Sequence, residues 1–264
     1  MDKQKIGDKI WKIFTKIIPT WRYSFLDMNQ NYIKKFVMFS AKSTKKNEII
    51  LDAGAGSCQW KKYFNHTNYE STDFEQIFDQ KSKNLHTFIC NIKDIPKKKN
   101  MYDSILNVEV LEHIDKPLKA LKEMYRVLKP GGKLYLTTPQ SEAVHGYPYN
   151  YFNFTRGGLE WLFKKVGFKK SVIKPKGGIF IEIAIKLKEM PYYILKQYIL
   201  IEKKEGTKRK PVLKKFNPLA LLLLPLFFIT WILFQIIIPL FFIILDNLDR
   251  KKEYTFGYCC ICYK

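Results

Sequence analysis

The sequence predicts an α/β fold in which helices cover both faces of a mostly parallel β-sheet. Short apolar segments that end in glycine or turn residues alternate with segments of helical periodicity between residues 48 and about 175. The chain of 264 residues is long enough for one main core and an appendage. The sequence also contains a long uncharged run outside these alternating segments: the 28 residues 218–245 include no charged side chain.

The strand and helix segments follow one another in the order that βαβ units require. Four apolar segments predict buried strands: EIILDAGAG, HTFICNI, SILNVE and KLYLTTP. Between the last two, KPLKALKEMYRVLK places apolar side chains on one helical face. TRGGLEWLFKKVGF does the same later in the chain, with Thr155 as a predicted N-cap. Strands joined by such helices lie parallel in one sheet.

The composition bounds the partners and the environment. The chain carries 46 Lys and Arg against 24 Asp and Glu, a formal net charge of +22. This excess favours anionic partners such as nucleic acid, phosphorylated substrates or an acidic lipid surface, although the codon usage of an AT-rich genome produces the same lysine content. The odd number of cysteines, in a chain too large to need disulfides, indicates a reducing, cytosolic environment. No metal site is predicted, because the cysteines at 259, 260 and 262 do not share one strand face.

The segment LDAGAGSCQW, residues 51–60, predicts a ligand site. A strand that ends in Gly-x-Gly lets the backbone approach a nucleotide at the carboxyl edge of the sheet. The third glycine of a dinucleotide site is replaced by Gln59, which disfavours NAD. Asp52 precedes the glycines, and Asp73 is predicted to end the next strand, where a carboxylate can accept hydrogen bonds from two ribose hydroxyls.

Together these segments resemble the class I S-adenosylmethionine-dependent methyltransferases, particularly their small-molecule and lipid branch. The motifs DAGAGS, TDF, NIKDIP, VLEH and RVLKPGG carry the resemblance, in the order of that family. It implies a seven-stranded Rossmann-like sheet and S-adenosylmethionine as the cofactor. The residues that it places against the methionine moiety, the ribose, the adenine and the sulfonium are Asp52, Gly54, Ala55, Gly56, Asp73, Phe74, Asn91, Ile92, Val108 and Glu109.

One residue departs from the family pattern. The family commonly has Asp where Asn91 stands, but an amide oxygen can also accept a hydrogen bond from the adenine amino group. We therefore expect cofactor binding to survive this change.

The segment QSEAVHGYPYNYFNFTR, residues 140–156, is predicted to meet the methyl acceptor, because the family places substrate contacts after the fifth strand. His145 is the first candidate for a general base and His113 of VLEH the second, since a hydroxyl acceptor must lose its proton. A purely structural role stays open for both histidines. The predicted substrate contacts are Tyr147, Tyr149, Tyr151 and Arg156.

The uncharged run falls within a predicted insertion. By the resemblance, EYTFGYCCICYK is an antiparallel seventh strand between strands five and six, and KKSVIKP is strand six. Both ends of the insertion then belong to one sheet, which excludes a single membrane crossing. At about 1.5 Å per residue, two arms folded at Pro225 or Pro239 are too short for each to cross a core of about 30 Å. The sequence predicts a hydrophobic helical hairpin that is re-entrant or interfacial, with basic residues 208–210 at its rim.

The predicted organisation has four parts: an N-terminal amphipathic helical region (1–47), the S-adenosylmethionine-binding core (48–177), a membrane-associating helical insertion (178–252) and the final strand of the core (253–264). The sixth strand ends at the carboxyl edge of the sheet, where the cofactor binds, so the insertion is expected to bring the membrane beside the active site.

The expected function is therefore methyl transfer at the cytoplasmic face of an anionic membrane. The expected acceptor is a lipid or lipid-linked molecule, such as a polyprenyl-linked glycan, a quinone or a phospholipid, and no nucleic acid partner is predicted. The oligomeric state is not predicted. Two alternatives stay open: a membrane-tethered methyltransferase of a soluble sugar or metabolite, and a non-catalytic S-adenosylmethionine-binding membrane protein.

Overall fold

The computed structural model describes residues 27–74, 85–198, 200–205, 208–213 and 233–264, with side chains described in 27–74, 85–190 and 233–264. The chain divides into two compact units. The larger one, called the sheet unit, comprises Tyr32–Gly177 and Thr255–Lys264. The smaller one, called the insertion unit, comprises the described residues before Tyr32 and those within Gly178–Tyr254.

The helices and strands follow the chain in this order. Up to residue 177 they are α1 (Met28–Ser43), β1 (Ile49–Ala53), β2 (Asn68–Asp73), β3 (Phe88–Ile89), β4 (Tyr102–Val108), α2 (Pro117–Val127), β5 (Leu128–Pro139), α3 (Arg156–Val166) and β6 (Lys170–Pro175). The insertion unit adds α4 (Ile179–Tyr198), β7 (Leu200–Glu205), β8 (Lys208–Leu213) and α5 (Ile238–Leu245). The chain then returns to the sheet as β9 (Gly257–Tyr263). Short 3-10 turns occupy Lys61–Tyr63, Leu111–His113 and Asp246–Leu248.

The sheet has the strand order β3-β2-β1-β4-β5-β9-β6. Strands β3, β2, β1, β4 and β5 pair in parallel, whereas β9 runs antiparallel to both of its neighbours, with Cys260 opposite Leu136 of β5 and Ile173 of β6. The prediction that the C-terminal segment forms an antiparallel strand between strands five and six is confirmed. Because β9 is antiparallel to both, β6 is parallel to β5, and the carboxyl ends of all the parallel strands meet at one edge.

Side-chain alternation along the strands builds an apolar layer on each face of the sheet. Leu134, Leu136, Cys260 and Cys262 pack in one buried cluster with residues of α2 and α3. The intervening Tyr135 and Ile261 belong to a second cluster, to which α1 contributes Ile33 and Val37. The sheet is therefore covered on both faces by helices, as its near-continuous apolar strands predict.

Both predicted helices of the sheet unit are confirmed. In α3, the hydroxyl of Thr155 accepts a hydrogen bond from the Gly158 N–H at 3.2 Å, so Thr155 is the N-cap as predicted. Gly167 ends this helix in the left-handed conformation, with φ of 104°.

The prediction of a buried strand over HTFICNI is wrong in its extent and its burial. Only Phe88 and Ile89 pair with β2, and Ile89 remains 39% exposed. The reason is position, since β3 lies at the edge of the sheet and has a single neighbour. An apolar run predicts a strand but does not reveal which strand is at the edge.

Helices α4 and α5 of the insertion unit pack together. The rings of Phe180 in α4 and Phe242 in α5 lie 6.0 Å apart. Asp246, which follows α5, accepts a hydrogen bond from the Gly178 N–H at 2.8 Å, and Asp249 accepts one from the Ile179 N–H at 2.8 Å. These two carboxylates satisfy backbone donors at the start of α4, where negative charge is favourable.

The prediction that the insertion is entirely helical is wrong, because the insertion also contains two strands. Strands β7 and β8 form an antiparallel pair, and the basic residues 208–210 lie in β8 rather than at the rim of a helical hairpin. This strand pair could not be predicted, because a run of lysine and arginine lacks the alternation by which strands are predicted.

The uncharged run is described only in its second half. Residues 218–232, which include the predicted folding point Pro225, lie outside the described residues. A π-helical turn at Leu233–Ile237 leads directly into α5, so the chain does not reverse at Pro239. In the portion of the chain that the structure describes, no helix has both the length and the apolarity required to cross a membrane. The predicted apolar hairpin lies partly outside the described residues, and its described part, residues 233–245, shows no reversal of the chain.

Gly257, the first residue of β9, gives a test of the strand order. A Cβ at this position would lie 2.4 Å from the Thr138 carbonyl oxygen and 2.5 Å from Cε of Lys176. We expect Gly257→Ala to lower the free energy of unfolding by about 2 kcal/mol, as overpacking does. Urea unfolding measures this, with Gly157→Ala as the control because a Cβ there meets nothing within 4 Å. Equal stabilities of the two variants would contradict the close approach of β9 to β5.

Candidate active site

The turn after β1 presents open backbone at the carboxyl edge of the sheet. Gly54 and Gly56 have φ values of +87° and +54°, which are left-handed values that glycine adopts without strain. A Cβ at Gly54 would lie 2.5 Å from the side chain of Val110, whereas a Cβ at Gly56 would meet nothing within 4 Å. The first glycine is thus needed for packing, and the second leaves space in which a ligand can reach the backbone.

Asp73, at the end of β2, lies beside this turn. Its Oδ2 accepts a hydrogen bond from the Gly56 N–H at 2.7 Å, and its Oδ1 accepts one from the Phe74 N–H at 2.6 Å. Burial raises the pKa of Asp73 above its usual value, and the two backbone hydrogen bonds act in the opposite direction. Each carboxylate oxygen keeps a further lone pair, so this half-buried group can still accept two hydrogen bonds from a diol.

Asp52 has a different environment from Asp73. It is only 1% exposed and accepts a hydrogen bond from the Tyr69 hydroxyl at 2.5 Å. Burial raises the pKa of Asp52 to about 7, with the Tyr69 hydrogen bond opposing this rise and the charge of Asp73 adding to it. The structure therefore directs this carboxylate toward Tyr69, and contact of Asp52 with the cofactor remains a prediction.

Asn91 and Ile92 follow β3 in a tight turn. Oδ1 of Asn91 accepts a hydrogen bond from the Lys93 N–H at 3.0 Å, and Ile92 is buried in the core. One lone pair of the oxygen that is expected to meet the adenine is therefore engaged locally. Phe74, which directly follows Asp73, is 37% exposed and offers an apolar surface next to the carboxylate.

Val108 ends β4, and Glu109 follows it with a left-handed φ of 51°. The Glu109 carboxylate binds the ammonium group of Lys176, whose Nζ lies 2.9 and 3.0 Å from the two oxygens. The Lys176 side chain is completely buried. This ion pair connects the carboxyl ends of β4 and β6. Sequence reasoning missed Lys176, because nothing in the segment IKPKGG marks that lysine as a buried one.

Three side chains converge just beyond β4 and β5. Nε2 of His113 lies 3.2 Å from Nε2 of His145, and Oε1 of the fully buried Glu112 lies 3.9 Å from Nε2 of His113. Burial lowers the pKa of His113. Burial also raises the pKa of Glu112, and the nearby negative charge of Glu109 raises it further. The structure therefore brings together both histidines that the sequence proposed separately. Sequence reasoning missed Glu112, although it is part of the same VLEH motif.

The tyrosine-rich loop after β5 is attached to this cluster through its backbone. The carbonyl oxygen of Tyr149 accepts a hydrogen bond from His113 Nδ1 at 2.7 Å, and the Tyr151 N–H donates to the Glu112 carbonyl oxygen at 2.9 Å. The side chains of Tyr147, Tyr149 and Tyr151 are 76%, 42% and 46% exposed. They are thus available to an acceptor near the histidines.

Arg156, the fourth predicted substrate contact, makes its side-chain hydrogen bond within α3 and not with the histidine cluster. It begins α3, and its Nε donates to Glu160 one helical turn later at 2.9 Å. The pair is solvent-exposed. A role for Arg156 in acceptor binding remains a prediction.

Most of the residues described above fall within a match to a known protein family. The family model for a methyltransferase domain matches residues 25–172, which is more than half of the chain. The chain belongs to this methyltransferase family. The matched range contains the glycine turn, Asp73, the histidine pair and the tyrosine loop, and the domain is a class I S-adenosylmethionine-dependent methyltransferase domain.

A solved structure agrees with this assignment at the level of the fold, and curated proteins match parts of the sequence. A putative sarcosine dimethylglycine methyltransferase from Galdieria sulphuraria superposes with a TM-score of 0.51 over 91% of this chain and 87% of that one, at 14% identity. An uncharacterized protein of Methanocaldococcus jannaschii is 34% identical over 120 residues, 42% of this chain and 47% of the relative. The mitochondrial ubiquinone biosynthesis O-methyltransferase of Dictyostelium discoideum is 26% identical over 73 residues, 28% of this chain and 22% of the relative. The chain thus matches less than half the length of these curated relatives.

The residues of the methyltransferase site suit S-adenosylmethionine, the cofactor of this domain. The open side of Gly56 leaves room for the ligand against the backbone, and Asp73 has free acceptor capacity for ribose hydroxyls. Phe74 and Asn91 supply an apolar surface and an amide within the same edge of the sheet.

The pKa of Asp52 makes the stability of the methyltransferase domain depend on pH. Its value of about 7 lies above the ordinary 3.8, so its contribution to stability is fully present below pH 3.8 and is lost as the pH rises through 7. Asp52→Asn keeps an acceptor for Tyr69 and removes the buried charge. We expect the variant to be more stable than the wild type at pH 8, by at most about 4 kcal/mol, and equally stable near pH 4.

Chemical denaturation at pH 4, 6 and 8 measures this difference. Asp103→Asn is the matched control, because hydrogen bonds from Lys129 and the Ile49 N–H outweigh burial and lower the pKa of Asp103. Relative to the wild type, this control is expected to be less stable by nearly the same amount at all three pH values, because a lowered pKa loses its contribution to stability only as the pH falls below the ordinary 3.8. A stability difference for Asp52→Asn that is the same at pH 4 and pH 8 would contradict the elevated pKa.

Proposed function

We propose that the protein transfers a methyl group from S-adenosylmethionine to a lipid or lipid-linked acceptor at the cytoplasmic face of a membrane. The observation that carries the proposal is the placement of Asp73, beside the open Gly56, at the same sheet edge as His113 and His145. When bound, the cofactor supplies an electrophilic methyl group, whose bond to sulfur breaks as the bond to the acceptor forms. The protein must align these atoms and exclude water.

Each residue of the site has a role in this proposal. Asp73 holds the ribose, and the Gly56 backbone allows close approach of the ligand. The Glu109–Lys176 ion pair holds the end of β4 in place, where the sulfonium is expected. His113 and His145 remove the proton of a hydroxyl acceptor, as one unit rather than as separate bases, because their Nε2 atoms lie 3.2 Å apart.

The lipid acceptor is supported by the insertion unit and by the topology of the sheet. The chain leaves the sheet after Pro175 and returns to it at Gly257, and both points lie at the carboxyl edge. The intervening residues include the 28 uncharged residues 218–245. In the described part of this run, Phe241 and Ile244 of α5 are 58% and 71% exposed. Apolar side chains exposed in this density are typical of a surface that contacts a membrane or a partner.

The role proposed for Asp73 can be tested by calorimetry. Asp73→Asn retains an acceptor for the Gly56 N–H but removes the charge, so we expect S-adenosylmethionine to bind about 10-fold more weakly, or about 1.5 kcal/mol. Glu160→Gln, which changes an exposed carboxylate on α3, is the control and is expected to bind normally. Unchanged affinity in Asp73→Asn would exclude Asp73 as the ribose ligand.

The class of acceptor can be tested with S-adenosylmethionine that carries a labelled methyl group. The purified protein is incubated with detergent-extracted lipids, with the water-soluble metabolites or with tRNA. We expect label in the lipid fraction alone. Label in the soluble fraction would favour the tethered methyltransferase of a soluble metabolite, label in tRNA would overturn the lipid proposal, and label in none would indicate a non-catalytic protein.

The contribution of the apolar surface is tested in intact membranes with matched variants. The double variant Phe241→Asp, Ile244→Asp places two charges on α5, and Trp161→Asp places one on the exposed face of α3, where Trp161 is 59% exposed. The α5 variant is expected to lose membrane binding and lipid methylation while it still binds S-adenosylmethionine. Trp161→Asp is expected to behave as the wild type. Full lipid methylation by the α5 variant would show that this surface does not deliver the acceptor.

A further inference from the structure

The two histidines of the active site face one another in an arrangement that their own hydrogen bonds leave incomplete. His113 Nδ1 lies 2.7 Å from the Tyr149 carbonyl oxygen, and His145 Nδ1 lies 2.9 Å from the Ala143 carbonyl oxygen. A carbonyl oxygen can only accept, so both Nδ1 atoms carry the hydrogen. In the neutral rings, both Nε2 atoms then carry lone pairs, and the two nitrogens lie 3.2 Å apart.

Glu112 supplies a third acceptor directed into the same space. Its side chain is completely buried, and its Oε1 has no hydrogen-bond partner among the residues that the structure describes. Oε2 accepts a hydrogen bond from the Thr138 hydroxyl at 3.3 Å, which orients the carboxylate. Burial of a carboxylate oxygen without a hydrogen-bond donor costs free energy, so a positively charged group bound beside Oε1 would stabilise the site.

We propose that Glu112, His113 and His145 bind a divalent transition-metal ion. Two imidazole nitrogens and one carboxylate are a ligand set of zinc and of the metals close to it. One ligand atom from each residue lies within 4.8 Å of the others. The assignment departs from the sequence analysis, which predicts no metal site.

The spacing of the nitrogens fits a shared ion. Two nitrogens that each lie about 2.0–2.1 Å from zinc at a tetrahedral angle are about 3.3 Å apart, close to the observed 3.2 Å. The carboxylate oxygen lies 3.9 Å from His113 Nε2, and the three ligand atoms lie within 4.8 Å of one another, so this oxygen needs to move by about 1.5 Å to complete the set. Both histidines already donate their other N–H to a backbone carbonyl, which is the outer-shell contact that fixes a metal-binding tautomer.

The ion would give the histidine pair a specific task, and this step rests on the proposed function. Three protein ligands leave coordination positions open to the acceptor, and the tyrosine loop borders them. A metal-bound hydroxyl loses its proton to solvent more readily, and its oxygen then forms the bond to the methyl carbon as the electron pair of the sulfur–methyl bond returns to sulfur. The acceptor is therefore expected to react through oxygen. With the ion bound, the two histidines are its ligands, so the ion replaces them as the group that favours the deprotonated acceptor.

Zinc binding to the full chain tests the site without reference to activity. After treatment with a chelator, calorimetric titration with Zn²⁺ is expected to show one site, weakened about 100-fold or more in His113→Ala, His145→Ala and Glu112→Gln. The isosteric Glu112→Gln keeps the shape of the buried side chain, so a loss of binding in this variant does not arise from misfolding. His66→Ala, an exposed histidine bonded to Thr44, is the matched control and is expected to bind normally.

A second control addresses thiol binding, because Cys58 Sγ lies 3.5 Å from His86 Nδ1. Binding that is lost in Cys58→Ser but kept in His145→Ala and Glu112→Gln would overturn the proposal, as would the absence of any zinc site in the wild type. S-adenosylmethionine affinity is measured on the same samples. If S-adenosylmethionine binds normally but zinc does not bind, the metal proposal is rejected and the proposed function stands. If S-adenosylmethionine does not bind, the proposed function is rejected.

Discussion

The placement of β9 between β5 and β6 is the constraint on which the rest of the structure depends. Because β9 is antiparallel, it must begin at the carboxyl edge, and its first residue, Gly257, pairs with Pro139 at the end of β5. Lys176 then lies one residue past β6, where its N–H donates to the Gly257 carbonyl oxygen at 2.7 Å. The strand that completes the sheet therefore also sets the position of a buried charge at the site.

That charge explains why polar groups can be concentrated at this edge. Glu109 and Glu112 are both acidic and both close to the histidine pair, and burial of two carboxylates so near each other is unfavourable. Lys176 neutralises Glu109 through two close contacts, which leaves Glu112 as the group whose Oε1 lacks a partner among the described residues. The carboxyl edge of the sheet therefore carries both a structural ion pair, Glu109–Lys176, and a carboxylate, Glu112, that can bind a ligand.

The sequence predicts the frame of this site well because the frame follows from local rules and from the motif order of the methyltransferase family. The glycine turn, the N-cap at Thr155 and the final antiparallel strand follow from backbone conformation, capping and a motif order that the methyltransferase family shares. Lys176 and Glu112 could not be predicted in the same way, since their roles arise from contacts with residues distant in sequence. The edge position of β3 and the β7–β8 pair were missed for a related reason, because strand pairing is decided by neighbours and not by the segment itself.

The central claim is that the carboxyl edge of the sheet, between Gly56 and the histidine pair, is where methyl transfer takes place. A crystal structure of the full chain with S-adenosylhomocysteine tests it most directly. We expect both ribose hydroxyls to lie within hydrogen-bonding distance of the Asp73 carboxylate, with the sulfur directed toward His113 and His145. A ligand bound elsewhere on the sheet unit, or bound here without contact to Asp73, would contradict the account.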